Sequence, residues 1–120
     1  MAGVPEHWEQ VQVVKALARA KVVYCAVPNG GFRVRREAAM LKAEGVQKGM
    51  PDLLIFTPPP SSPGRCGVAL EMKRRDGKPS DLRPNQRVWL ERLEDLGWSV
   101  VVGWGALDAI DKLRDLGYEI

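Results

Sequence analysis

The stretch Thr57-Pro58-Pro59-Pro60-Ser61-Ser62-Pro63-Gly64 carries four prolines in eight residues. It can continue neither a helix nor a sheet ladder, because proline lacks the backbone N–H that both require. It separates two short apolar runs, Asp52 to Phe56 and Val68 to Lys73, each of strand length and composition. A forced exposed connection between two such runs implies neighbouring strands, and neighbouring strands bring their charged residues together. Side chains alternate faces along a strand, so Glu71 and Lys73 share one side of the second run while Leu70 and Met72 take the other. Asp52 opens the first run directly after Pro51, where pairing can set its carboxylate beside Glu71.

The rest of the chain reads as helices and strands around that pair. From Pro5 to Arg19, Val13, Val14, Leu17 and Ala18 recur at helical spacing opposite Gln12, Lys15 and Arg19. Val22, Val23, Tyr24 and Val27 form a β-branched run closed by the turn-forming Pro28-Asn29-Gly30-Gly31. A helix from Val34 to Glu44, basic at Arg33, Arg35 and Arg36, ends at Gly45. Pro84 occupies a first helical position, followed by Trp89, Leu90, Leu93 and Leu96, with Gly97 as the stop. Trp98 to Val102 reads as a buried strand, and Leu107, Ile110, Leu113 and Leu116 define a last amphipathic helix from about Ala106 to Gly117. Helix, strand, helix, strand, strand, helix, strand, helix is the order of an α/β fold: a small mixed sheet of about four strands flanked by helices.

Composition bounds the answer further. The 120 residues, 45% apolar, suit one domain spanning 1–120 with one core. The net charge of +3 matters less than its placement: Arg33, Arg35, Arg36, Lys42 and Lys48 precede Asp52, and Arg74, Arg75, Lys78, Arg83 and Arg87 follow Lys73. Cations on both sides of an acidic site suit a phosphate backbone, although a charge run is also an ordinary solvated face. Cys25 and Cys66 match no metal or disulfide spacing and read as buried thiols in a reducing, cytoplasmic setting. No apolar run reaches membrane-spanning length.

Two adjacent carboxylates repel unless a cation lies between them. Mg²⁺ or Mn²⁺ suits this role, since each takes oxygen ligands and binds through one or two carboxylates plus substrate phosphate. Such an ion polarises a phosphoryl oxygen and acidifies water, and Lys73 adds positive charge beside the reacting group. Glu6 lies on the stripe of Gln10, Val13 and Leu17 and is the third acid, with Glu9 near the stripe's edge as the alternative. Gln86, on the inward face of its helix, can hydrogen-bond the lysine, a ligand or phosphate, or simply cap the helix start. His7, the single histidine, is assigned no metal, and Trp89, Trp98 and Trp104 read as core or interface residues.

The ordered set Gly49-Met50-Pro51-Asp52, Glu71-Met72-Lys73 and Gln86 resembles the virus-type replication-repair nuclease (VRR-NUC) family of the PD-(D/E)XK superfamily. The similarity extends to Pro28-Asn29-Gly30-Gly31, to Leu41-Lys42-Ala43-Glu44-Gly45-Val46, and to Glu6 with Gln10. It implies a restriction-endonuclease-like core with Mg²⁺ or Mn²⁺ held by Asp52, Glu71, the carbonyl of Met72 and Glu6, and Lys73 as catalytic base or stabiliser. The length resembles stand-alone phage and bacterial members. Similarity to them implies a homodimer cutting branched DNA, Holliday junctions in particular, in replication and repair. DNA contacts are expected from Asn29, Gly30, Arg33, Arg35, Arg36, Lys48, Arg74, Arg75, Lys78 and Arg87. Two alternatives remain: a DNA-binding module without turnover, and an interaction protein whose acids only organise the core.

Overall fold

A computed structural model describes residues 3–28 and 35–120. Its elements are α1 (Glu6–Arg19), β1 (Tyr24–Ala26), α2 (Arg35–Ala43), β2 (Leu53–Ile55), β3 (Val68–Lys73), α3 (Pro84–Asp95), β4 (Ser99–Trp104) and α4 (Ala106–Asp115). A short 3₁₀ turn at Pro79–Asp81 leads into α3. The strands form one four-stranded sheet in the order β1-β2-β3-β4. β1 with β2 and β2 with β3 are antiparallel, and β3 with β4 is parallel. The mixed sheet flanked by helices is the α/β arrangement read from the sequence. The proline-rich connection joins β2 to β3, and α3 provides the crossover that a parallel pair requires.

Both faces of β3 are buried, which is why a six-residue strand carries two charged side chains at its end and none earlier. Val68, Leu70 and Met72 join Val13 and Leu17 of α1 and Ala106, Ala109 and Leu113 of α4 in the main core. Each large side chain so buried contributes roughly 1.5–3 kcal/mol. Gly103 on β4 lets α4 approach closely, since a Cβ there would lie 2.5 Å from Ala109 Cβ. By alternation, Ala69, Glu71 and Lys73 face the other side, towards α3.

Several expectations need correction. The β1 strand is three residues rather than the longer run from Val22, and β4 is shifted to Ser99–Trp104 with only alternate residues buried. Leu107 is 77% exposed, because the inward face of α4 is set by the small residues Ala106 and Ala109 that fit against Gly103. Ala18 is likewise exposed. Cys25 and Cys66 are exposed free thiols, not buried ones: one lies on the edge strand and the other at the end of the proline-rich loop. The 3₁₀ turn, held by Lys78 N–H donating to Asp81 Oδ2 at 2.8 Å, was not anticipated. Trp89, Trp98 and Trp104 are half-buried at the sheet margins, Trp98 edge-on to Phe56 and Trp89 beneath the Arg92 guanidinium. No helix among the described residues is long and apolar enough to cross a membrane.

Candidate active site

The register of β2 with β3 runs Leu53 opposite Leu70, so the next position back puts Asp52 opposite Glu71. Asp52 is fixed from both sides. Its carbonyl accepts the Val27 N–H at 2.8 Å, and its Oδ2 accepts the Met72 N–H at 2.7 Å. The carboxylate thus takes over the bonding of β3 where the backbone of β2 ceases to pair. Pro51, fully buried just before it, fixes the entry of the strand.

Glu6 reaches the same point from the first turn of α1. Carboxylate oxygens of Glu6, Asp52 and Glu71 lie within 4.8 Å of one another. Glu71 is 2% exposed, and its Oε1 has no hydrogen-bond partner among the described residues. Burial first, then the hydrogen bond and charge of Asp52, push the Glu71 carboxyl far above its ordinary range, with Glu6 adding to the rise and Lys73 opposing it. Burial and Asp52 also raise Glu6, against Lys73 and Arg83. Three acids, one of them buried with an orphaned oxygen, fit a divalent cation by the chemistry of the donor set.

Lys73 is 8% exposed at the end of β3, and its Nζ donates to Gln86 Oε1 at 3.0 Å. The same oxygen accepts the Arg83 N–H at 2.9 Å. Gln86 therefore fills both roles open to it from the sequence: it caps the start of α3 and orients the lysine. Its helix start sits against Gly49, whose φ of +93° and whose position, 2.7 Å from the Asn85 carbonyl for an added Cβ, both call for glycine. The first turns of α1 and α3 bring Glu6 to Glu71 and Gln86 to Lys73, while the start of α4 donates its Ala106 N–H to Glu9.

Glu9 is not part of the acidic cluster. It is 1% exposed, receives Arg75 Nε at 2.7 Å and Nη2 at 2.9 Å, and accepts the Ala106 N–H at 3.2 Å. This bidentate pair holds its carboxyl below the ordinary range. Glu9 ties α1 to the start of α4 and to the residues after Lys73, a role the sequence did not suggest. Gly105 permits it: a Cβ there would lie 3.0 Å from Glu9 Oε2.

The expected DNA contacts divide into three groups. Asn29, Gly30 and Arg33 lie outside the described residues, and Arg35 and Arg36 open α2 with side chains outside the description. Lys48 and Lys78 are exposed. Arg74 pairs with Asp76 at 3.2 Å, Arg75 is held by Glu9, and Arg87 donates to the carbonyls of Leu82 at 3.2 Å and Pro79 at 2.9 Å, clamping the 3₁₀ turn to α3. Arg75 and Arg87 therefore have structural partners that the reading of them as phosphate contacts left out.

Residues 4–106 match the model of the VRR-NUC domain family. The chain belongs to the VRR-NUC family. This is a nuclease family, so the acids, lysine and glutamine described above sit in a nuclease domain. Among solved structures, a VRR_NUC domain protein is 24% identical, with 98% of this chain and 91% of that one covered and a TM-score of 0.79. A second, a VRR_NUC domain, is 23% identical over 94% of this chain and 97% of that one, with a TM-score of 0.58. Both share the VRR-NUC fold with this chain. No curated protein matches it.

Proposed function

We propose that this VRR-NUC protein is a Mg²⁺- or Mn²⁺-dependent endonuclease that hydrolyses phosphodiester bonds in branched DNA, Holliday junctions in particular. The observation that carries the reading is the orphaned Oε1 of buried Glu71 within the Glu6, Asp52 and Glu71 cluster, one residue along the same face from Lys73. Glu6, Asp52, Glu71 and the Met72 carbonyl would hold the ion. When bound, it supplies charge neutralisation and Lewis acidity at the scissile phosphate. Asp52 keeps the Met72 peptide in place through the N–H it accepts. Lys73 would act as the base for the attacking water or stabilise the charge developing on the phosphoryl oxygens. Gln86 holds Lys73 Nζ so that it remains among the acids instead of turning to solvent. Glu9 and Arg75 hold α1 to α4, and so keep the first turn that presents Glu6.

The choice of branched DNA and of a homodimer follows the resemblance to stand-alone family members: two sites related by a two-fold axis match the paired strands of a junction. A bacterial cytoplasm, as the host compartment of such members, accompanies that reading. The competing proposal is a binding module on the same fold. Buried carboxylates facing a phosphate polyanion favour the enzyme, because without a cation they weaken binding.

The test is incubation of labelled four-way junction, flap and linear duplex with Mg²⁺ or Mn²⁺, with sedimentation mass measured in parallel. Metal-dependent paired incision of the junction by a dimer supports the proposal. Tight binding with no cutting under either metal supports the binding module instead.

A further inference from the structure

Outside the acidic cluster, the most distinctive surface lies along α1 and the cleft it forms with α4. Trp8, Gln12, Lys15 and Arg19 are four, three and four residues apart, and therefore form one stripe along the helix. All four are exposed, and Trp8 is 57% exposed despite its size. The only ring contact of Trp8 among the described residues is edge-on with His7, which leaves an indole face open. The stripe borders a cleft of about 480 Å³ whose lining includes Lys15, Arg19, Arg75 and Arg114 against the acids Glu9 and Glu119. Arg75 and Glu9 neutralise each other and Arg114 pairs with Asp111 at 3.8 Å, which leaves Lys15 and Arg19, among the described residues, as the cleft's unpaired cations. Arg114 is held facing the cleft by donating Nε to the Ile120 carbonyl at 2.8 Å. Lys15 and Arg19 have no ion-pair partner among the described residues.

The stripe lies on the outer side of α1, opposite Glu6 and the buried Val13 and Leu17, and the cleft beside it reaches Arg75, two residues beyond Lys73. The stripe spans Trp8 to Arg19 of the 14-residue helix. Lys15 and Arg19, one turn apart, are separated by about 6 Å along the axis. An open aromatic face followed by spaced, unpaired cations is how proteins track a single strand: bases stack without sequence preference and phosphates meet the cations. A duplex keeps its bases stacked and offers nothing to the indole face.

We infer that the Trp8, Gln12, Lys15 and Arg19 stripe, with the α1/α4 cleft beside it, carries a single-stranded segment of nucleic acid on the outer side of α1, apart from the acidic cluster. Trp8 stacks an unpaired base, and Lys15 and Arg19 contact successive stretches of backbone. The inference does not depend on the nuclease reading.

Binding is measured without added divalent metal, so that it does not depend on cutting. The probes are thymidine strands of about 4 and about 16 nucleotides, spanning common single-strand site sizes, and a blunt duplex. Lys15→Ala with Arg19→Ala lowers the slope of log affinity against log salt on the long strand by about 1.4. Trp8→Ala weakens the long strand roughly 5- to 150-fold, and Trp8→Phe recovers part of the loss. The double variant changes only exposed side chains, and an unchanged melting temperature verifies folding. An unaltered salt slope together with unaltered Trp8→Ala affinity overturns the inference, as does an equal loss on the duplex. Wild-type protein that shows these strand effects but cuts nothing with Mg²⁺ or Mn²⁺ refutes the nuclease reading and supports the strand path. Metal-dependent cutting with an unaltered salt slope and an unaltered Trp8→Ala affinity does the reverse.

Discussion

Asp52 Oδ2 accepts the backbone N–H of Met72 at 2.7 Å, so one carboxylate both completes the edge of β3 and faces Glu71. The two duties separate under substitution. Asp52→Asn keeps an oxygen that can accept the Met72 N–H but loses the charge needed to hold a divalent ion. Cleavage falls by at least about 100-fold, while chemical denaturation shows stability within roughly 1 kcal/mol of wild type. Asp52→Ala loses both and is destabilised by a further 1–2 kcal/mol or so, because the part-buried N–H is left without its partner. Comparable stability of the two variants would show that the hydrogen bond contributes nothing.

Gln86 is a positioning residue by its contacts, since Oε1 meets Lys73 Nζ and the Arg83 N–H and no other described partner. Gln86→Ala frees Lys73 to swing among its rotamers. The expected outcome is a drop in kcat of roughly 10- to 100-fold with little change in KM, since a misplaced donor affects the transition state more than substrate binding. Losing the helix cap costs about 1 kcal/mol in addition. A change confined to KM would place Gln86 on the substrate instead.

How far these contacts were legible in advance depended on whether the determining information was local. The alternation of Leu70, Glu71, Met72 and Lys73 is local, and the structure places Glu71 and Lys73 together on the face towards α3. Asp52 was legible through the proline-rich connection, which left adjacent strands as its natural outcome; their antiparallel pairing is set by the structure. Glu9 was not legible. Its burial depends on Arg75, 66 residues away, and on the start of α4, and no helical period encodes a polar residue that is buried because distant partners satisfy it. Leu107 failed for the converse reason: a leucine on an apolar stripe lost the inward position to alanines, because Gly103 brings the helix too close for larger groups. Cys25 is exposed because β1 is an edge strand, a property of sheet order that its own sequence does not carry.

Glu71 gives the metal-free protein a distinctive response to pH. Burial and Asp52 push its carboxyl from 4.5 up to about 9, so the folded state holds its proton where the unfolded chain has released it. Its contribution to stability is fully present below about pH 4.5 and is lost as pH rises towards 9. Glu71→Gln removes this loss, and at pH 8 without metal the variant is more stable than wild type by roughly 1–3 kcal/mol, while cutting nothing. Adding Mn²⁺ raises the melting temperature of wild type and not of the variant, and proton release accompanies binding. Equal metal-induced shifts in both proteins would remove Glu71 from the ion's ligands.

The two acids of α1 supply the sharpest contrast, because they are three residues apart and differ in every contact. Glu6 belongs to the acidic cluster, half-buried, with its carboxyl raised by burial and by Asp52. Glu9 is buried against Arg75 and the Ala106 N–H with its carboxyl lowered, first by the Arg75 hydrogen bond. Glu6→Gln should therefore lose metal-dependent cleavage at nearly unaltered stability. Glu9→Gln weakens the tie between α1 and α4 and costs roughly 1–3 kcal/mol at neutral pH, much of the ion pair being discounted because Arg75 is half-exposed. The lowered carboxyl of Glu9 stabilises the fold above about pH 4.5, and that contribution is lost as pH falls through its folded value, so the gap between wild type and Glu9→Gln closes in acid. Melting curves from pH 3 to 7 beside cleavage assays on the folded fraction decide the assignment: if Glu9→Gln loses cleavage while remaining folded and Glu6→Gln keeps it, Glu9 is the helix-one ligand and the cluster around Glu6 is incidental.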